Sequence, residues 1–193
     1  MPKIILDCDL MRYPNSGLYH YCLNLGNEVE QVMRESYPDM TIRYYVPPGE
    51  KEAFAKSKYC IVEENKFFNR LFRPLMLDCD IWHAPFQSGR ILPKPGGKTK
   101  ILLTIHDLNV LHEGKPEREQ LKSLAHTQEL INRADALVCI SEFTKNDVLK
   151  HCNTGSKPMY VIHNGVHKVH TIMMDSTAKK SSRPFLFGMG YVN

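Results

Sequence analysis

Short apolar runs recur along this chain, and one after another they stop at polar residues. Lys3-Ile4-Ile5-Leu6 ends in Asp7-Cys8-Asp9, Ile81-Trp82 in His83, and Ile101-Leu102-Leu103-Thr104-Ile105 in His106-Asp107. Ala136-Leu137-Val138-Cys139-Ile140 ends in Ser141, and Met159-Tyr160-Val161-Ile162 in His163-Asn164-Gly165. Runs this short, alternating with helical periodicity, predict an α/β fold: a doubly wound, mostly parallel Rossmann-like sheet. Parallel strands put every carboxyl end on one edge, where open α/β sheets bind ligands. Any strand must end somewhere polar, but the repetition favours a shared crevice.

The elements follow from local pattern. Lys3 to Asp7 reads as the opening strand, followed by a loop over Leu10 to Ser16. Leu18, Cys22, Leu25, Val29 and Val32 then keep a three-to-four spacing, so a helix begins there, with Ser16 or Gly17 at its N-cap. Strands are predicted over Thr41–Val46, Tyr59–Val62 and Asp80–His83, with a helix over Asn69–Leu77 that Pro74 shortens or kinks. Pro85 to Lys98 is broken by Pro93, Pro95, Gly96 and Gly97 and reads as a loop. Lys100–Ile105 is almost uninterruptedly apolar, as a central parallel strand requires. A long helix is expected over Glu117–Ala134 with Leu121, Leu124, Gln128, Ile131 and Ala134 on one face. Ser141 should cap a further helix that carries Phe143, Val148 and Leu149. Residues 1–166 therefore read as one domain. Residues 167–183, rich in His, Lys and Ser, read as a linker, and 184–193 as the first strand of a second domain cut short.

Bulk composition excludes more than it assigns. With 42% hydrophobic and 24% charged residues, the chain is neither disordered nor fibrous. A net charge of +4 is too small to mark a nucleic-acid binder and suits an anionic substrate or membrane surface. No apolar stretch reaches the length of a membrane span, and the N-terminus reads as a strand rather than a signal peptide. The six cysteines are scattered without a C-x-x-C pair, so neither zinc nor redox chemistry is indicated. Cys8, Cys22 and Cys139 read as buried thiols in a reducing cytosol.

Several groups carry candidate chemistry, each beside a plainer alternative. Asn15-Ser16-Gly17 offers backbone N–H groups and the positive end of a helix dipole, an anion site or simply a cap. His106 follows the strongest strand and can hydrogen-bond a sugar hydroxyl or move a proton. Asp107 either orients that imidazole or caps the next turn. His83 lines the same crevice or is a satisfied core histidine. Ser141 is an N-cap whose helix start could also meet a phosphate. The remaining histidines lack paired metal-ligand spacing, so no metal is expected. Phe67, Phe68, Arg70, Leu71, Phe72 and Arg73, with Lys94, Lys98 and Lys100, make either a membrane-touching basic surface or a core helix with a solvated face.

Together these stretches resemble the N-terminal half of a GT-B glycosyltransferase of family 4, the "glycosyl transferase group 1" type. The likeness rests on Ile5-Leu6-Asp7 leading through Pro14-Asn15-Ser16-Gly17-Leu18 to Tyr21 and Leu25, and on Asp80-Ile81-Trp82-His83-Ala84-Pro85. It continues in Lys100-Ile101-Leu102-Leu103-Thr104-Ile105-His106-Asp107-Leu108, in the stretch from Ala134 to Lys145, and in Val161-Ile162-His163-Asn164-Gly165-Val166. Phe185-Leu186-Phe187-Gly188-Met189-Gly190 resembles the first strand of the family's second domain, which carries most of the nucleotide-sugar site.

The resemblance implies a retaining, metal-independent transferase acting in cell-surface polysaccharide synthesis, without a cofactor. Its donor is a nucleotide sugar and its acceptor a glycan or lipid-linked sugar. A cytoplasmic place is implied, with room for peripheral contact at the inner face of a membrane, and no nucleic-acid partner. Gly17, beside Ser16, would lie by the donor phosphates, His106 would contact the donor sugar, and Asp107 would support His106 or the acceptor. Ser141 would line the cleft floor, and Asn164 and Gly165 its hinge side. A second Gly and an Arg often follow the first Gly in this family; here Tyr19 and His20 stand there, and Arg12 is the candidate replacement for the missing charge. The fragment alone is expected to be inactive.

Two other readings stay open. Ile4-Ile5-Leu6-Asp7-Cys8-Asp9 also resembles the nucleophile strand of a haloacid-dehalogenase-type phosphohydrolase, with Asp7 attacking phosphate. Against it, Met11 stands where Thr or Val is usual, and no later strand ends in paired acids. A non-catalytic acceptor-binding domain is the third.

Overall fold

A computed structural model describes residues 2–37, 39–40, 42–54, 60–64 and 79–165. The helix expected over 69–77, the aromatic and arginine cluster at 67–73, the linker at 167–183 and the strand at 184–193 lie outside the described residues.

Among the described residues seven strands form one sheet: β1 (Ile4–Asp7), β2 (Ile42–Val46), β3 (Cys60–Glu64), β4 (Ile81–Ala84), β5 (Lys100–Ile105), β6 (Ala136–Cys139) and β7 (Met159–Val161). Their order is β3-β2-β1-β4-β5-β6-β7, and every pairing is parallel. This is the expected Rossmann-like α/β sheet. The order reverses between β1 and β4, so the crevice at their carboxyl ends is the topological switch point.

Alternation of side chains along each strand splits the core into two layers. Leu6, Tyr44 and Val46 face helix α1 (Gly17–Ser36), whose Cys22 and Met33 are buried against them. Ile5, Tyr45, Trp82, Leu103 and Leu137 face the opposite layer, which holds α2 (Glu117–Arg133) through Leu130 and Ile131, and α3 (Glu142–His151) through Val148. On the α1 side Gly26 permits a close approach: a Cβ there would meet Phe54 Cε1 at 2.7 Å. Tyr44 uses the same approach to donate its hydroxyl to the Gly26 carbonyl at 2.8 Å. Cys8, Cys22 and Cys139 are buried, as expected.

Two helices follow their apolar pattern in part: Leu124, Ile131 and Ala134 on the α2 face and Val148 of α3 pack on the core as expected. In α2 the buried residues are Thr127, Leu130 and Ile131, whereas Leu121 is exposed and Gln128 bonds Asn132 and the Asn153 carbonyl at the surface. In α3 Val148 is buried but Phe143 and Leu149 face outward. A single turn of helix settles its face by what it packs on. Here the α3 face is chosen by Thr144 and Asp147, which make polar contacts toward β5 and the turn after it.

Candidate functional site

His106 is the first residue past β5, and its main chain is held on both sides. Its N–H donates to Gln87 Oε1 at 3.0 Å, and its carbonyl accepts the Thr144 hydroxyl at 2.8 Å. Gln87 reaches on to donate Nε2 to the Asp107 carbonyl at 2.9 Å. The ring is held as well. Nε2 lies 2.9 Å from the Pro85 carbonyl, which can only accept, so in the neutral ring Nε2 carries the proton and Nδ1 is the acceptor. Tyr21 and Phe86 meet the ring edge-on, with centroids at 4.7 and 5.2 Å. His106 is 8% exposed, and burial pushes its pKa down against the opposing Pro85 bond and Asp107 charge. The result is a neutral imidazole of one tautomer on the crevice edge.

The neighbours extend this wall. Ser141 caps α3, its Oγ accepting the Thr144 N–H at 3.1 Å. Its hydroxyl also lies 3.0 Å from Thr144 Oγ1, the atom that reaches the His106 carbonyl. Asp107 Oδ1 accepts the Asn109 N–H at 3.1 Å, just ahead of the turn Asn109–Leu111, whose N-cap is Leu108. His83 sits inside β4 rather than past its end, with Nε2 2.9 Å from Thr104 Oγ1, and burial lowers its pKa to about 4. It is a partly buried histidine bonded to the neighbouring strand β5. The same Thr104 also neighbours the Tyr21 hydroxyl, and the Tyr21 ring packs on His106.

The opposite wall is built at β1 and α1. Ser16 is the N-cap of α1, its Oγ accepting the Tyr19 N–H at 3.2 Å. Gly17 opens the helix and lines a cleft of about 570 Å³ together with His20, Tyr21, Asn24, Asn164 and Gly165. Gly17, Asn164 and Gly165, far apart in sequence, thus meet at one cavity. Tyr19 does not narrow it; its hydroxyl donates to Glu50 Oε2 at 3.0 Å. Arg12 is turned the other way: Nε donates to the Asp9 carbonyl at 3.0 Å and the guanidinium pairs with the Asp9 carboxylate. Arg90 Nε meets the other Asp9 oxygen at 2.9 Å. Lys100 belongs to neither wall, since it starts β5 at the opposite edge and pairs with Asp135 at 2.8 Å.

Asp7 lacks the features of an attacking carboxylate. It is 7% exposed, and burial raises its pKa to about 7. Its Oδ1 is occupied by the Asp9 N–H at 3.0 Å. A phosphate nucleophile needs an accessible, ionised oxygen. Among the described residues no group of three His, Cys, Asp or Glu side chains could hold a metal ion.

A family model for glycosyltransferase family 4 matches residues 19–168, which include every described element from α1 onward except the Ser16–Leu18 start of that helix. The chain belongs to glycosyltransferase family 4. No curated protein matches it. As a family 4 glycosyltransferase domain it serves the transfer of sugar from a donor to an acceptor substrate. Among the described residues no helix is long and apolar enough to cross a membrane.

Sequence reasoning missed Gln87, Thr144, Pro85 and Phe86, which hold His106. Pro85 was visible as the residue after a strand end; Gln87 and Thr144 reach across from distant loops, and no local pattern marks such a contact.

Proposed function

We propose that this domain is the acceptor-side half of a retaining, metal-independent transferase. It moves a sugar from a nucleotide-activated donor to a glycan or lipid-linked acceptor in cell-surface polysaccharide synthesis. The observation that carries this reading is His106, neutral and of fixed tautomer, beside a cleft lined by Gly17, Asn164 and Gly165. A neutral Nδ1 acceptor suits a hydrogen bond from a donor-sugar hydroxyl, and a group gripped at N–H, carbonyl and ring needs no reorganisation when charge develops. The Ser16–Gly17 start of α1 is the positive end of a helix dipole and suits the departing diphosphate. The Arg12 side chain is committed to Asp9, so the helix end is the main source of that stabilisation on this wall.

Ser141 would act through Thr144 on His106, and Asp107 by shaping the turn beyond it. His83 would support the floor through Thr104 rather than touch substrate. Turnover would need the second domain that the resemblance implies, so this half alone would bind without transferring. The site of action would be the cytoplasm, at the inner membrane face for a lipid-linked acceptor.

The test is transfer itself. The active enzyme is incubated with labelled nucleotide sugars and a lipid-linked acceptor, with and without EDTA, and the product anomer is determined. Transfer that survives EDTA and retains the donor configuration is expected. Inversion, or Mg²⁺-dependent phosphate release without sugar transfer, would overturn the reading.

A further inference from the structure

The two walls of the crevice share one buried charge. Asp9 lies just past β1 with its side chain 3% exposed. One carboxylate oxygen pairs with Arg12 of the β1–α1 turn and the other with Arg90 of the loop between β4 and β5, at 2.9 Å for the latter. Its own N–H is fixed to Asp7 Oδ1 at 3.0 Å.

Each arginine leads to a site element. From Arg12 the turn continues through Tyr13, whose N–H bonds the Leu10 carbonyl at 3.2 Å. It runs on to Ser16, whose N–H and hydroxyl both bond the Tyr13 carbonyl, at 3.0 and 2.7 Å. Ser16 caps α1 at Gly17. From Arg90 the loop runs one way to Ile91 and Leu92, buried in the core, and the other way to Pro85–Gln87, which hold the His106 ring and N–H. A carboxylate can bind two guanidiniums at once and hold their loops at one separation.

We propose that Asp9 is a positioning residue, a clamp that sets the distance between the Gly17 end of α1 and the Pro85–Gln87 cradle of His106. The inference rests on the transferase reading for its consequence and on geometry alone for the clamp. The Arg12 and Arg90 side chains are 28% and 34% exposed, so neither arginine is enclosed as a whole side chain the way Asp9 is. Removing the buried carboxylate would threaten folding. The informative variants are therefore Arg12→Gln and Arg90→Gln.

Hydrogen exchange on the 193-residue chain reads the clamp without any activity. Arg12→Gln should speed exchange at amides 86–90 about tenfold, although the substitution lies on the other loop, and Arg90→Gln should do the same at amides 13 and 15–17. Amides of β5 should not respond. Exchange that rises only on the substituted loop would overturn the clamp. In the active enzyme each variant should lower kcat roughly 10- to 100-fold with little change in KM, since misplacement of reacting groups falls on the chemical step, and Arg90→Lys should restore part of it. Unchanged kcat in both arginine variants would overturn the positioning role. Absence of transfer in the unmodified enzyme would count against the transferase reading, leaving the exchange result to decide the clamp.

Discussion

The two walls of the crevice are held by different forces. On the β5–β6 wall, neutral hydrogen bonds from Gln87, Thr144 and Pro85 fix His106, and Ser141 supports Thr144. On the β1–α1 wall, Asp7, Asp9, Arg12 and Arg90 form a charged network that ends at the Ser16–Gly17 cap. The neutral wall suits a group that must keep one tautomer. The charged wall suits a loop beside a site for phosphates, and it makes that side the one sensitive to salt.

The sharpest way to separate the walls is pH. Asp7 has its pKa raised from 3.8 to about 7, chiefly by burial, so the stability linked to it is present at low pH and is lost as pH rises between those values. His83 is lowered from 6.5 to about 4, also by burial, so its contribution is present at neutral pH and is lost as pH falls. The two slopes oppose each other over the same window, and the unmodified chain should be nearly flat there, with His106 adding a slight loss on acidification. Asp7→Asn should uncover the histidine slope, losing up to ~1.4 kcal/mol per pH unit as pH falls from about 6.5 to about 4. His83→Gln should uncover the opposite slope. Chemical denaturation across that window measures both, and parallel flat profiles in the two variants would break the contrast.

Thr144→Val tests the neutral wall alone. It keeps the volume and leaves the His106 carbonyl without its hydroxyl donor, which should cost about 1–3 kcal/mol in urea denaturation and show no salt dependence. A cost that shrinks with added salt would blur the two walls.

The smallest effects belong to the caps. Ser16→Ala and Ser141→Ala each lose one side-chain bond to a helix N–H and should cost ~1 kcal/mol. The Ser141 change should also reach the His106 wall through Thr144, whereas the Ser16 change should not. NMR shifts at His106 that move equally in both variants would contradict that.

Much of this was legible in sequence because strands and their polar ends are local patterns. The parallel edge carrying Asp7, His106, Ser141 and Asn164 followed from apolar runs and helical spacing. The faces of α2 and α3 were legible in part: Ile131, Ala134 and Val148 pack as expected, whereas Leu121, Phe143 and Leu149 give way to buried polar residues that only tertiary contacts select. The strand predicted over Asp80–His83 was ended one residue too early, because β4 continues to Ala84. Arg12 offered a charge near Gly17, but its direction depends on Asp9, and the bridge to Arg90 joins loops that share no sequence signal.

The central claim is that His106 acts in sugar transfer from a pre-set wall. The most direct test is the transfer rate of His106→Ala in the active enzyme, with thermal stability measured beside it. The account predicts a fall in kcat of roughly 10²- to 10⁴-fold with the fold retained. A variant that transfers sugar at the unmodified rate would contradict it.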